Sequence, residues 1–240
     1  GSLECWGADG FDQVGNAPAG TNFEVLETSN NYNCALDDSG APSCWGQDGG
    51  FGVVDDVPTV TGLVSLSLTE RIACGLDGDG VISCWGKDNH AQISDVPTSS
   101  GYIDIASSTV SGTEWERVCA IAADGSIDCW GYDLGLTPPT GGGHTQIVAG
   151  EASFCALNTL GEITCWGQDE TTVNATPTGA GYTDITANEG AFACATTSAG
   201  IMECWGHSNS FLTDFAINNY ASTVPAQPGF VAMQVYEENN

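Results

Sequence analysis

Residues 155–167 read CALNTLGEITCWG, and this stretch is one of five closely similar copies in the chain. The other complete copies begin at residues 34, 74, 119 and 194, and in every copy the two cysteines lie ten positions apart. A sixth, partial copy reads GSLECWG at residues 1–7. Because CWG recurs about every 40 residues, the sequence predicts a repeat architecture.

Each complete copy has the pattern of an antiparallel β-hairpin. If Cys155 lies opposite Cys165, three residues remain for the loop, and the last of them is Gly161. A three-residue hairpin loop needs a left-handed conformation at its last position, which glycine adopts without a steric penalty. The same glycine stands four positions before the second cysteine of every complete copy: Gly40, Gly80, Gly125, Gly161 and Gly200.

This hairpin register brings the two cysteines of a copy face to face. The pair falls in the non-hydrogen-bonded class, where Cα atoms approach to about 4.5 Å, within the range of a disulfide. Zinc is the alternative, but zinc ligands usually come in pairs about two to four residues apart, and histidine is scarce. The expected disulfides are Cys34–Cys44, Cys74–Cys84, Cys119–Cys129, Cys155–Cys165 and Cys194–Cys204.

Eleven cysteines in one chain favour an oxidising compartment, so we expect a secreted or cell-surface protein. Cys5 remains unpaired or available for an intermolecular bond.

The pattern of both hairpin faces predicts how the repeats are arranged. One face carries the cystine with pairs such as Leu76/Ile82, and the other carries the tryptophan of CWG beside small residues. A small sheet that is apolar on both faces must be flanked by copies of itself, as in a β-propeller. A third strand is expected before each hairpin, at 23–29, 63–69, 102–108, 145–150 and 182–188.

The two ends of the chain supply parts of one further unit. Gly1 stands in the turn-glycine position of the partial copy, and residues 230–237 match the strand that precedes each hairpin. We therefore predict an all-β, six-bladed β-propeller over 1–240, a single domain whose last blade is shared between the termini and lacks one strand. A seven-bladed propeller, a piece of a longer repeat array, or a cloning remnant at Gly1-Ser2 are the alternatives.

The repeat resembles that of the regulator of chromosome condensation family, with its CAL, turn glycine and CWGxD elements in phase. It is most similar to the short-repeat bacterial branch, which includes the beta-lactamase inhibitor propeller. The resemblance implies a propeller, commonly seven-bladed, that acts as a binding surface. It does not transfer an inhibitory activity, because contact residues are not part of the repeat motif.

The net charge of the chain limits the classes of partner that it is expected to bind. The net charge is −28 because the chain has only three basic residues, Arg71, Lys87 and Arg117. Nucleic-acid binding and attraction to anionic membranes both depend on lysine and arginine, so neither is expected. We expect tolerance of high salt. No apolar stretch is long enough to span a bilayer, and any export signal is expected to have been removed.

Catalysis has little support in the sequence. The three histidines, His90, His144 and His207, occupy unrelated positions and are interpreted as surface or loop residues. Asp77–Gly80 resembles the start of a calcium loop but coincides with the hairpin turn. We expect no catalytic residue, cofactor or metal site.

Two insertions could form contact surfaces. The segment 207–227 is expected on the rim, where its apolar residues either cover the last repeat or form a recognition surface; they include Phe211, Leu212, Phe215 and Tyr220. The segment Ser108–Glu116, with Trp115, allows the same two interpretations, and a structural role is favoured.

Two classes of function follow from these observations. The first is a structural or assembly subunit in which another chain fills the vacant strand position; the expected contacts are Leu3, Trp6, Met233 and Val235, with Cys5 as a covalent lock. The second is a monomeric extracellular recognition module whose rim loops bind a protein or a carbohydrate. Neither class involves nucleic acid or membrane insertion.

Overall fold

The computed structural model describes residues 1–110, 112–133, 137–187 and 192–206, and within them the fold is all-β with one short helix. The strands form five three-stranded antiparallel sheets, and each sheet is built from one complete repeat. The described residues belong to two compact units. The first comprises Gly1–Ala123 and Asp128–Asp133, and the second comprises Asp124–Ile127 with the described residues after Asp133.

Strand order within each sheet follows the chain. The first three sheets are β1 (Phe23–Thr28), β2 (Tyr32–Asp37), β3 (Pro42–Gly46); β4 (Leu63–Leu68), β5 (Ile72–Asp77), β6 (Ile82–Gly86); and β7 (Tyr102–Thr109), β8 (Glu116–Ala122), β9 (Ile127–Gly131). The other two are β10 (His144–Gly150), β11 (Ser153–Asn158), β12 (Ile163–Gly167); and β13 (Tyr182–Ala187), β14 (Phe192–Thr197), β15 (Met202–Gly206). The strands expected before each hairpin are thus present.

The hairpin between the last two strands of a sheet has the predicted register. Cys155 lies opposite Cys165, and Leu157 lies opposite Ile163. Gly161 has a φ of 76°, and a Cβ atom added there would lie 2.5 Å from the backbone nitrogen of Gly181. The glycine is therefore required twice, by its left-handed conformation and by the close approach of the next repeat's backbone.

The turn glycine also links neighbouring repeats in the first unit. The backbone NH of Leu63, at the start of β4, donates to the carbonyl of Gly40 at 3.2 Å. Phe23, at the start of β1, makes the same bond to the carbonyl of Gly1 at 2.9 Å. Gly1 therefore takes the turn-glycine position toward the next repeat, although residues 1–6 form no strand in the described part of the chain. The N-terminal part of the predicted shared blade is therefore not a strand among the described residues, because no described strand pairs with it, and residues 230–237 lie outside them.

Tryptophan side chains form a second link between successive repeats of the first unit. The indole NH of Trp45 donates to the carbonyl of Gln13 at 2.8 Å, and that of Trp85 donates to the carbonyl of Val53 at 3.1 Å. Trp130 makes the equivalent bond to Gln92 at 3.0 Å. In each case the acceptor lies in the loop that follows the preceding CWG, so one side chain both fills the core and fixes that loop.

The aspartate of the CWGxD pattern closes this loop. Asp48 accepts hydrogen bonds from the backbone NH groups of Gly52 and Val54, at 3.0 and 2.7 Å. These bonds hold the pKa of Asp48 below its usual range, against the opposing effect of its partial burial. Asp169 instead accepts from Thr171 and Thr172 as the N-cap of α1 (Glu170–Asn174), a helix that the β-type pattern did not predict.

One histidine departs from expectation. His144 is buried at the start of β10, and its Nδ1 lies 2.8 Å from the carbonyl of Gly125. The interpretation as a surface or loop residue is therefore wrong for His144, because the ring fills a position beside the hairpin turn. His90 is partly buried in a loop, and His207 lies outside the described residues.

Several predictions fall on residues 207–240, which lie outside the described part of the chain. These are the insertion 207–227 and the strand at 230–237. The six-blade count, the shared last blade and the single domain over 1–240 accordingly stay predictions. Among the described residues, no helix has both the length and the apolar character needed to cross a membrane.

Candidate functional site

The structure brings the two cysteines of each complete repeat together in a disulfide, with Cα atoms 3.9–4.1 Å apart; the pairs are Cys34–Cys44, Cys74–Cys84, Cys119–Cys129, Cys155–Cys165 and Cys194–Cys204. Cys5 is a free, partly buried cysteine. These five bonds fit a cystine-stapled repeat. Each one crosses a single hairpin, so it limits the motion of the strands that carry the loops.

The predicted contact residues are only partly described. Leu3 is half-buried, and the indole of Trp6 is 84% exposed. The remaining predicted contacts lie outside the described residues: Phe211, Leu212, Phe215, Tyr220, Met233 and Val235. The structure therefore leaves the predicted surface incomplete, and a different cluster stands out.

That cluster lies in the first unit, where the loop between β7 and β8 meets the loop after β6. We define the Trp115 platform as Lys87, Asn89, His90, Glu114, Trp115 and Tyr132. The ring of Trp115 stacks on that of Tyr132, with centroids 4.8 Å apart and planes 3° from parallel. His90 packs edge-on against Tyr132, also at 4.8 Å. Trp115 remains 39% exposed although Tyr132 lies against it.

The loop that carries Trp115 is tied by its own hydrogen bonds. The NH of Val110 donates to the carbonyl of Trp115 at 3.3 Å, and the Thr113 hydroxyl donates to the carbonyl of Val110 at 2.7 Å. The NH of Trp115 then donates to the Thr113 hydroxyl at 3.1 Å. The guanidinium of Arg71, from the neighbouring sheet, donates to the carbonyl of Thr113. The loop is thus held by hydrogen bonds between its own residues and by one from Arg71.

Glu114 forms the polar edge of the platform. Its two carboxylate oxygens accept from Lys87 Nζ and Asn89 Nδ2, each at 2.5 Å. Both hydrogen bonds lower the pKa of Glu114, and the one from Lys87 has the larger effect. The side chain is 49% exposed, so an ionised carboxylate of fixed orientation faces solvent on the loop that also carries Trp115.

Beneath the loop, Glu116 is fully buried at the start of β8. Its Oε1 accepts from the Thr69 hydroxyl at 2.5 Å and from the backbone NH of Arg71 at 3.1 Å, while its Oε2 has no partner among the described residues. Burial raises the pKa of Glu116 to about 7, and the Thr69 bond and the charge of Arg71 oppose that rise only in part. Glu116 therefore joins the second and third sheets under the platform.

All three basic residues of the chain lie at or beside the platform, and each has an acidic partner. Lys87 pairs with Glu114 at 2.5 Å, Arg71 pairs with Glu70 at 3.1 Å, and Arg117 lies 3.9 Å from Asp133. Arg71 and Lys87 also lie over the ring of Phe51, 5.4 and 5.0 Å from its centroid. The cluster is therefore locally balanced in charge within a strongly acidic chain.

Sequence reasoning preferred a structural role for Trp115 and did not connect it with Lys87, Asn89 or Tyr132. Two features of the sequence could have indicated this cluster. All three basic residues of the chain come from two neighbouring repeats, and the insertion that carries Trp115 lies in one of them. Among the described residues, no group of three or more histidine, cysteine, aspartate or glutamate side chains could hold a metal ion.

Comparison with known proteins identifies similar folds. No family model matches the chain. No curated protein matches it. The solved structures do: the CRINKLY WD40 ectodomain of the Arabidopsis thaliana receptor kinase ACR4 is 25% identical, with a TM-score of 0.64 over 85% of this chain and 71% of that one. The entire ectodomain of the Physcomitrella patens receptor kinase CR4 is also 25% identical, with a TM-score of 0.67 over 85% of this chain and 56% of that one.

A third neighbour is Prp20p of Saccharomyces cerevisiae, the yeast RCC1, with 13% identity and a TM-score of 0.58 over 79% of this chain and 58% of that one. The chain thus spans little more than half the length of the yeast protein and of the moss ectodomain. At 13% identity, the similarity to Prp20p shows a shared fold and nothing more. The predicted fold class, all-β of propeller type, is confirmed, and the neighbours include the protein type that the repeat resembles.

Proposed function

We propose that the protein is an extracellular, non-enzymatic binding module that engages its partner through the Trp115 platform. The observation that carries the proposal is the stack of Trp115 on Tyr132, which leaves an indole 39% exposed on a loop held by hydrogen bonds. A large aromatic side chain with little freedom to lose is a favourable anchor for a partner.

The scaffold supports this role. In each sheet the last two strands are joined by a disulfide, as in Cys74–Cys84 and Cys119–Cys129 of the second and third sheets. Disulfides persist in oxidising compartments, and two of the similar folds are receptor-kinase ectodomains. A rigid sheet that presents loops is the usual arrangement of a recognition protein, because the loops can vary while the strands keep their positions.

The partner belongs to one of two classes, a protein or a carbohydrate. Prp20p binds Gsp1p and histones, which favours a protein. The resemblance to the short-repeat bacterial branch, with its beta-lactamase inhibitor, also favours a protein. The composition of the platform, aromatic with a carboxylate and an amide at its edge, favours a carbohydrate.

The proposal is tested by presenting the folded chain to an array of glycans and an array of extracellular-domain peptides. Trp115→Ala should abolish binding that the wild type shows, whereas Trp6→Ala removes the other exposed tryptophan and should leave that binding unchanged. Equal binding by wild type and Trp115→Ala, or no binding by the wild type on either array, would overturn the proposal.

A second candidate function is assembly through the partial repeat. Two observations favour it. Two hydrogen bonds between Gly1 and Phe23, at 2.6 and 2.9 Å, hold Gly1 at the start of β1. In the same segment Trp6 is 84% exposed and Cys5 is free. A strand from another chain beside this segment would cover Leu3 and Trp6. Native mass measurement tests it, because assembly requires a species larger than the monomer that Trp6→Asp dissociates. A wild-type chain that stays monomeric at high concentration without reductant would contradict assembly.

A further inference from the structure

We infer that the Trp115 platform binds a neutral carbohydrate, whose ring packs on the exposed indole of Trp115 while its hydroxyls bond to Glu114 and Asn89. This inference rests on the proposed function and names the chemical class of its ligand. Three properties of the site support it: the shape of its apolar part, the chemistry of its polar edge, and its charge.

The apolar part is a flat ring and not a pocket. Trp115 lies parallel to Tyr132, so one face of the indole is covered by protein, and the residue as a whole is 39% exposed. A pyranose has a flat face of axial C–H groups, which packs against an aromatic ring.

The polar edge suits hydroxyl groups. A carboxylate can accept about four hydrogen bonds. Glu114 uses one on each oxygen, to Lys87 and to Asn89, and its side chain is 49% exposed. The remaining acceptor positions face solvent on the same loop that carries Trp115. Sugar hydroxyls are donors and acceptors, so they can bond to the carboxylate and to the exposed Asn89 amide, which has one further N–H.

Charge decides between neutral and charged sugars. An anionic ligand would approach a chain of net charge −28, and Lys87 and Arg71 are already paired with Glu114 and Glu70. A cationic ligand at the polar edge would meet Lys87, whose ammonium group already lies 2.5 Å from the Glu114 carboxylate. The net charge of −28 attracts cations at long range, but at the platform Glu114 is already paired with Lys87, so the local arrangement adds no attraction for either sign. A neutral ligand needs no such attraction.

The platform is also organised before a ligand arrives. Thr113 closes the loop through Val110, and Arg71 holds the same loop through the carbonyl of Thr113. Binding therefore needs little ordering of side chains, which matters because contacts with a single sugar ring are weak.

The test uses the folded full chain and neutral hexasaccharides of glucose, mannose and xylose, with hexagalacturonate and chitosan hexamer as the anionic and cationic probes. Affinities are measured by titration calorimetry. At least one neutral probe should bind, and Trp115→Ala should weaken it tenfold or more. Trp115→Phe should retain part of the affinity, because a flat ring remains. Glu114→Gln should weaken binding less. Leu160→Ala, which removes a 68% exposed apolar side chain outside the platform, should not change it.

The outcomes separate this inference from the proposed function. Binding of peptides but not of neutral glycans, with dependence on Trp115, overturns the inference and leaves the binding module standing. Binding of a neutral probe that Trp115→Ala does not weaken, or preference for a charged probe, overturns the inference as well. Far-UV circular dichroism and the thermal transition of Trp115→Ala show that the variant is folded. If Trp115→Ala is unfolded, Glu114→Gln with Asn89→Ala replaces it, and an unchanged affinity then overturns the inference.

Discussion

The same three letters, CWG, have opposite surroundings at the start of the chain and in the first complete repeat. Trp45 is 4% exposed and its indole donates to the carbonyl of Gln13, whereas Trp6 is 84% exposed. Cys44 is bonded to Cys34 across a hairpin, whereas Cys5 is free. In both copies the glycine four positions before the CWG cysteine accepts a hydrogen bond from the next repeat. Gly1 accepts from the NH of Phe23, and Gly40 accepts from the NH of Leu63.

This difference shows what the motif does and does not encode. The contact to the following repeat needs only the backbone of one glycine, so the partial copy keeps it. The burial of tryptophan needs a strand beside CWG and a loop from the preceding repeat, and neither lies beside residues 5–7 in the described part of the chain. Local sequence thus sets the hairpin, and neighbouring repeats bury it.

The largest effect is expected from the tryptophans. Trp85 is 5% exposed and donates to Val53, so Trp85→Ala should lower the free energy of unfolding by about 3–5 kcal/mol through cavity formation. Trp6→Ala should change it by less than about 0.5 kcal/mol. Urea denaturation of both variants measures the difference, and a comparable loss for Trp6→Ala would mean that this indole is buried in solution.

A turn glycine should come next. Gly40 has a φ of 72°, and an added Cβ would lie 2.4 Å from the nitrogen of Leu63. Gly40→Ala should therefore cost about 3 kcal/mol, from the left-handed conformation and the backbone displacement together. An added Cβ at Gly1 would meet the Phe23 carbonyl at an ordinary 3.9 Å. Gly1→Ala is the matched control, and denaturation curves that shift equally would contradict the assigned role of Gly40.

Removal of one staple should have a smaller effect. The double variant Cys74→Ala with Cys84→Ala opens a loop of ten-residue separation and should lose about 2–3 kcal/mol of stability by the chain-entropy estimate. Cys5→Ala breaks no bond within the described residues and should leave stability unchanged. Thermal unfolding without reductant makes the comparison. A destabilised Cys5→Ala would show that Cys5 is bonded or well packed in the native chain.

The smallest expected effect is a dependence of stability on pH. It tests whether the carboxyl group of Glu116, in a complete repeat, is shielded from water. The pKa of Glu116 is raised to about 7, so its contribution to stability is present at low pH and is lost as pH rises toward 7. Wild type should lose about 2 kcal/mol between pH 5 and pH 7 relative to Glu116→Gln. The pKa of Glu27 is also raised to about 7 by burial, but Glu27 is present in both proteins. Parallel stability profiles for the two proteins would place Glu116 in contact with water.

The repeat itself could be predicted because its determinants are local. A glycine four residues before a cysteine defines the turn, and the turn defines which cysteines meet; Gly161 and Cys155–Cys165 show both steps. The Trp115 platform could not be predicted in the same way. Thr113 is held by Arg71, 42 positions away, and Glu114 by Lys87, 27 positions away. The period of the repeat says nothing about which inserted side chains meet across two copies.

The indole bond between repeats ends at a main-chain carbonyl, and any amino acid supplies one. Two of the acceptors belong to glutamines, Gln13 and Gln92, and the third belongs to Val53, which is smaller and apolar, yet all three receive the same donor. This hydrogen bond fixes where a loop lies but does not restrict which side chains the loop carries. Substitutions in these loops can therefore accumulate with little effect on how successive copies are coupled, which makes them the natural place for new contact surfaces to evolve.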